Sequence, residues 1–182
     1  VEEHNPRSGN NMPGLIFAPG TLIEMKGFQY LIQAMEQIVK CNRDAKLHIA
    51  GKGPYSLPLL QLTKTAGLEE QVIFHGFLNR TSLNELYSAA DIVVFPSLFL
   101  EVCPLVIMEA MSFGKPIIAG KYSGIEDMLG GDSGYLIDPK NPSEIGDAAC
   151  DILKNPDRAA VLGRNAYGRF RETYDASGHY HR

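Results

Sequence analysis

Two kinds of apolar pattern alternate along this chain. Short continuous apolar runs occur at Leu15–Ala18, Leu47–Ala50, Val72–His75, Asp91–Phe95, Pro116–Ala119 and Tyr135–Ile137. Between them, apolar residues recur every three or four positions. From Lys26 to Lys40 the recurring set is Phe28, Leu31, Ile32, Met35, Ile38 and Val39, which predicts an amphipathic helix. Further helices are expected over Ser56–Ala66, from Thr81 or Ser82 through Ala90, and over Leu105–Phe113. One turn follows around Ile125–Leu129, then helices over Ser143–Lys154 and Asp157–Tyr174. Glu85, three residues after Ser82, suits a capping-box partner. Gly114 and Lys115-Pro116 end the Leu105 helix, and Asn155-Pro156 separates the last two.

Continuous apolar strands alternating with helices mark a parallel sheet buried on both faces. The expected architecture is a doubly wound α/β domain of about six strands, Rossmann-like, with helices on both faces. Residues 1–13 read as a flexible linker, 14–175 as the domain and 176–182 as a polar tail. In such sheets ligands bind beyond the carboxyl ends of the strands, where the strand order reverses. The Gly- and Pro-rich breaks after the strands all fall at those ends.

Composition narrows the class of partner. Of the 182 residues 45% are hydrophobic, ample for a core, and the formal charge of −4 gives no basic bias toward nucleic acid. No apolar run is long enough to span a bilayer, and the polar N-terminus is not that of a signal peptide. Cys41, Cys103 and Cys150 form no C-x-x-C, which points to a reducing, cytoplasmic setting and away from structural zinc. His4, His48, His75, His179 and His181 have no ligand spacing, so neither a metal nor another cofactor is expected.

The candidate chemistry centres on Pro96–Ala119, which holds Glu101 and Glu109 in a nearly all-apolar setting. Pro104 suits the first position of the following helix. Glu101 then lies in the loop before it and Glu109 inside it. A carboxylate among apolar neighbours is costly unless something hydrogen-bonds it, and a vicinal diol could do so. The free N–H groups of Leu105 and Val106 in the first turn form an anion site suited to phosphate. The stretch can also be read as a core helix carrying one ion-paired Glu.

The spacing Glu101-x7-Glu109 resembles the E-x7-E signature of retaining glycosyltransferases of the GT-B fold, in particular their large group-4 family. Gly20-Thr21-Leu22-Ile23-Glu24-Met25-Lys26-Gly27 resembles the family's G-R-L-x-x-x-K-G, with Thr21 in place of the Arg. Gly51-Lys52-Gly53-Pro54 resembles its G-x-G-P turn. As a dinucleotide fingerprint that turn fails, lacking the third glycine and a following acidic residue. His75-Gly76-Phe77 resembles the segment bordering the base, though it also reads as a strand terminator with a core aromatic. Ala90–Ser97 resembles A-D-V-x-V-x-P-S, with a structural role for Asp91. Glu101-Val102-Cys103-Pro104-Leu105 resembles the variant E-x-x-P-L, and Gly124–Asp127 loosely matches G-[IV]-P-E.

The resemblance covers roughly residues 14–174 and corresponds to the C-terminal, donor-binding half of a two-domain enzyme. It implies hexosyl transfer from a nucleoside-diphosphate sugar without a metal, the leaving phosphate serving as base. Lys26 and Glu101 would be catalytic, and Gly20, Thr21, Lys26, Phe77, Glu101, Cys103, Pro104, Leu105, Val106 and Glu109 would bind substrate. Glu101 would contact the donor sugar and Glu109 the ribose. An acceptor-binding N-terminal domain would be the partner, this segment alone would be inactive, and peripheral membrane association of the complete enzyme is compatible with the family. The rivals are a nucleotide-binding or regulatory module without catalysis, and a GT-B sugar-nucleotide epimerase.

Overall fold

The computed structural model describes residues 14–99 and 103–174, so the linker and tail assigned to the two ends lie outside the described residues. Six strands form one sheet: β1 (Leu15–Pro19), β2 (Lys46–Ala50), β3 (Val72–Gly76), β4 (Ile92–Phe95), β5 (Ile117–Gly120) and β6 (Gly134–Ile137). Every pairing is parallel, and the order is β3-β2-β1-β4-β5-β6. The order reverses between β1 and β4, which pair through Ile16 with Ile92 and Phe17 with Val93. A crevice for ligands belongs beyond the carboxyl ends of these two strands.

Alternation along the strands divides the core in two. Ile16, Ala18, Leu47, Ile49, Val94 and Ile118 face one side, packed with α1 (Phe28–Cys41) and α6 (Pro142–Lys154). Leu15, Phe17, Val93, Phe95, Ile117 and Ala119 face the other, with α3 (Arg80–Ala89), α4 (Leu105–Ser112), α5 (Ser123–Leu129) and part of α7 (Pro156–Thr173). The remaining helix, α2 (Ser56–Thr65), contributes Leu59 to the first side. The six-stranded doubly wound sheet thus agrees with the sequence pattern.

Several helix starts differ from expectation. Asn79, not Thr81 or Ser82, caps α3, its side-chain oxygen accepting the Ser82 N–H at 2.9 Å. α6 starts at Pro142 rather than Ser143, capped by Asn141, which accepts the Ser143 N–H at 3.2 Å. In both cases an Asn two or three residues earlier holds the bond, because its longer side chain spans the turn from an extended backbone. Pro104 is the residue flanking α4 rather than its first helical residue, with φ −70° and ψ 122°. Lys26 closes a separate 3-10 turn (Glu24–Lys26), and α1 begins only after Gly27.

Candidate functional site

Three loops converge at the reversal of strand order. Pro19-Gly20 leads from β1 into the 3-10 turn, while Gly51–Tyr55 follows β2 and the described residues Pro96–Phe99 follow β4. Backbone bonds tie the first two: the Gly20 N–H donates to Ala50 O at 2.8 Å and the Leu22 N–H to Lys52 O at 3.0 Å. The Leu98 N–H reaches Met25 O at 2.8 Å, joining the first loop to the third. Glycine is what permits such close approach. A Cβ on Gly27, whose φ is +70°, would lie 1.9 Å from Pro96 O, and one on Gly53 would lie 2.2 Å from Leu22 O. The G-x-x-x-x-x-x-G and G-x-G-P patterns therefore reflect backbone packed on backbone.

Lys26 is half-buried, and its Nζ stands 5.2 Å from the centroid of the Phe95 ring at the end of β4. The ammonium is therefore seated over the switch point, not simply solvated at a helix start. Thr21 is exposed and Gly20 partly so, both on the same loop. Across the crevice α4 starts without a side-chain cap, and Leu105 at its first position is 69% exposed. Pro104 is buried, Val106 half-buried and Cys103 exposed, with the Cys103 thiol 3.7 Å from Met108 Sδ. Glu101 lies outside the described residues. Phe77, beyond β3, is 77% exposed. That removes the core-aromatic reading and leaves a ring open to stacking.

Glu109 sits on the second turn of α4 and already has two partners. The Arg80 Nη1 donates to Oε1, and the Tyr87 hydroxyl donates to Oε2 at 2.9 Å. The carboxylate side chain keeps 24% of its exposure. Tyr87 is fully buried, edge-on to Phe17 at 5.0 Å and stacked on Phe113 at 5.3 Å. Burial, and then the Glu109 charge, push its phenol far upward, so it stays protonated and donates. Arg80 and Tyr87 went unrecognised as partners in the sequence. Their positions on α3, seven residues apart, align on one helix face only once α3 packs beside α4.

Glu109 is thus neither an orphan nor saturated. An ionised carboxylate offers about four lone-pair sites, and two are in use. Asp91 is structural as expected: its Oδ2 accepts the N–H groups of Gly14 at 2.7 Å and Leu15 at 3.1 Å. On the same sheet face as Tyr87, His48 and His75 meet, Nδ1 to Nε2 at 2.9 Å, where a bulge shifts the β2–β3 register. Burial pushes both imidazoles down, and for His48 the His75 and Lys46 charges add to that. Among the described residues no group of three His, Cys, Asp or Glu side chains could hold a metal ion. No described helix is long and apolar enough to cross a membrane.

Known proteins share this fold. The chain is 37% identical over 132 residues to an uncharacterized glycosyltransferase of Methanocaldococcus jannaschii, covering 72% of this chain and 33% of that one. It superposes on the Anabaena HepE protein in complex with UDP and glucose with a TM-score of 0.82 at 27% identity, covering 93% of this chain and 46% of HepE. On the C-terminal domain of a glycosyl transferase group 1 family protein from Francisella tularensis the TM-score is 0.81 at 28% identity. That match covers 91% of this chain and 89% of the other. The chain spans about a third to two-fifths of the length of the curated relatives it matches. The model of the family of group 1 glycosyl transferases matches residues 1–169, and with the GT-B C-terminal fold in place this chain belongs to that family.

Proposed function

We propose that the chain is the donor-binding domain of a retaining, metal-independent glycosyltransferase moving a hexosyl group from a nucleoside-diphosphate sugar. The acceptor enters between this domain (14–175) and an N-terminal domain joined through residues 1–13, and this chain alone transfers no sugar. The observation that carries the reading is the seating of the Lys26 ammonium over the end of β4, one loop before the uncapped start of α4. A cation and a set of helix-start N–H groups on one switch point suit a diphosphate. The complex of HepE with UDP and glucose supports that ligand class.

In this reading Lys26 and the N–H groups of Leu105 and Val106 stabilise charge developing on the leaving diphosphate, with Gly20 and Thr21 lining its path. The leaving phosphate takes the acceptor proton. Glu101 orients the sugar, Cys103 and Pro104 shape its pocket, and Phe77 stacks on the base. Glu109 accepts the ribose hydroxyls on its two remaining lone-pair sites, so Arg80 and Tyr87 stay in place. The Arg80 and Tyr87 bonds, together with Thr21, also favour a second reading, a nucleotide-binding module in which Glu109 serves the fold.

Calorimetric titration with UDP, GDP, ADP and inorganic pyrophosphate separates the two. The chain should bind at least one nucleoside diphosphate without added metal. Glu109→Gln should weaken that binding by about 1.5–3 kcal/mol, roughly 10- to 100-fold, and leave pyrophosphate nearly unchanged. Equal losses for both ligands would assign Glu109 to the fold. Sugar transfer by this chain alone would refute the need for a second domain, and turnover of the donor without acceptor would indicate an epimerase.

A further inference from the structure

The helices α1 and α6 run side by side on the sheet face remote from Tyr87 and Glu109, and they touch closely. A Cβ on Gly146 would lie 2.7 Å from the Gln37 side chain, and Gln37 Nε2 donates to Asp147 Oδ1 at 2.6 Å. Both helices follow parallel strands and point the same way. One turn further along each, four residues beyond Gln37 and Gly146, stand Cys41 and Cys150. Residues four apart share a helix face, so the Gln37–Gly146 contact brings the two thiols opposite one another. Burial and the adjoining Cys41 thiol push the Cys150 thiol up to about 12, which agrees with that placement. Both residues are half-buried and free.

We propose that Cys41 and Cys150 form a dithiol that closes into a disulfide linking α1 to α6. With a glutathione-type disulfide as oxidant, the Cys41 thiolate attacks one sulfur, breaks the S–S bond and releases one thiol. Cys150 then gives up its proton and attacks the Cys41 sulfur of the mixed disulfide, releasing the second. Two protein thiols are oxidised, one small disulfide is reduced, and both protons end on the released thiols. The exchange is symmetric: the thiolate is the nucleophile, and with Cys150 leading, Cys41 resolves the mixed disulfide in the same way. The site is independent of the donor-binding assignment, since Cys41 ends α1 and Cys150 lies near the end of α6, away from the loops at the carboxyl ends of the strands.

The test treats the Cys103→Ser variant with oxidised glutathione, so that only this pair is read. Mass spectrometry should show the loss of two hydrogens and no glutathione adduct, and peptide mapping should place the link between Cys41 and Cys150. Facing thiols have an effective concentration of mM or more, so the closed form should exceed the mixed disulfide roughly tenfold or more. In Cys103→Ser with Cys150→Ser, reaction should stop at a glutathione adduct on Cys41. The closed loop of about 100 residues should raise Tm by roughly 5–15 °C. A stable adduct when both thiols are present, a link between molecules, or a fall in Tm on closure would each overturn the proposal.

Discussion

The two sides of the crevice are built from different material. On the β1 side the site is backbone: Gly27 and Gly53 lie against the carbonyls of Pro96 and Leu22, and Lys26 is the cation over β4. On the α3–α4 side it is side chain: Arg80 and Tyr87 converge on Glu109. A backbone wall tolerates no added atom, whereas a side-chain cluster loses one bond at a time. The first should therefore fail abruptly on substitution and the second by degrees. The β1 wall also carries Thr21, which is exposed.

The largest effect is expected at the wall. Gly27→Ala places a Cβ 1.9 Å from Pro96 O on a residue at φ +70°. Left-handed backbone costs a non-glycine residue about 1–2 kcal/mol before any clash, so a total loss on the order of 3 kcal/mol or more is expected. Urea unfolding measures it. A loss below about 1 kcal/mol would show that the wall yields and would remove the contrast.

Tyr87→Phe tests the cluster. It keeps the buried ring and deletes one hydrogen bond to a charged partner, so stability should fall by about 1.5–3 kcal/mol. Glu109, still reachable by water and Arg80, should retain most of its nucleotide affinity. Loss of nucleotide binding larger than the loss of stability would mean that Tyr87 sets the carboxylate's position for the ligand.

Thr21→Arg should strengthen diphosphate binding roughly tenfold, or about 1.4 kcal/mol, because a guanidinium can engage phosphate in a bidentate way that Lys26 cannot. The gain should be small for monophosphates and shrink with salt. No gain would place Thr21 outside the phosphate path.

The smallest expected change comes from the His48–His75 pair, which lies on the same sheet face as the cluster. Both imidazoles have folded-state values below their ordinary one near 6.5, so below that pH the unfolded chain binds more protons. Stability should be full above pH 6.5 and fall as the pH drops from there toward the depressed folded values. His48→Gln should flatten this dependence in thermal scans between pH 5 and 7.5. An unchanged slope would assign it to other groups.

The apolar runs and the glycine spacing were enough to set the sheet, its parallel sense and the loops of the crevice. These rest on local periodicity and on backbone geometry that one residue type alone permits, and both are written along the chain. The seating of Lys26 over Phe95, the Arg80–Glu109–Tyr87 cluster, the meeting of His48 with His75 and the facing of Cys41 and Cys150 were decided only by the tertiary structure. Each joins residues from separate elements, and a side chain's partner depends on how helices pack across the sheet. The cap of α3 shows the same limit at short range: Asn79 and Ser82 are equally good capping residues, and the extended backbone at Asn79 selects between them. Spacing named Glu109, but packing supplied the two donors that make its charge tolerable at that depth.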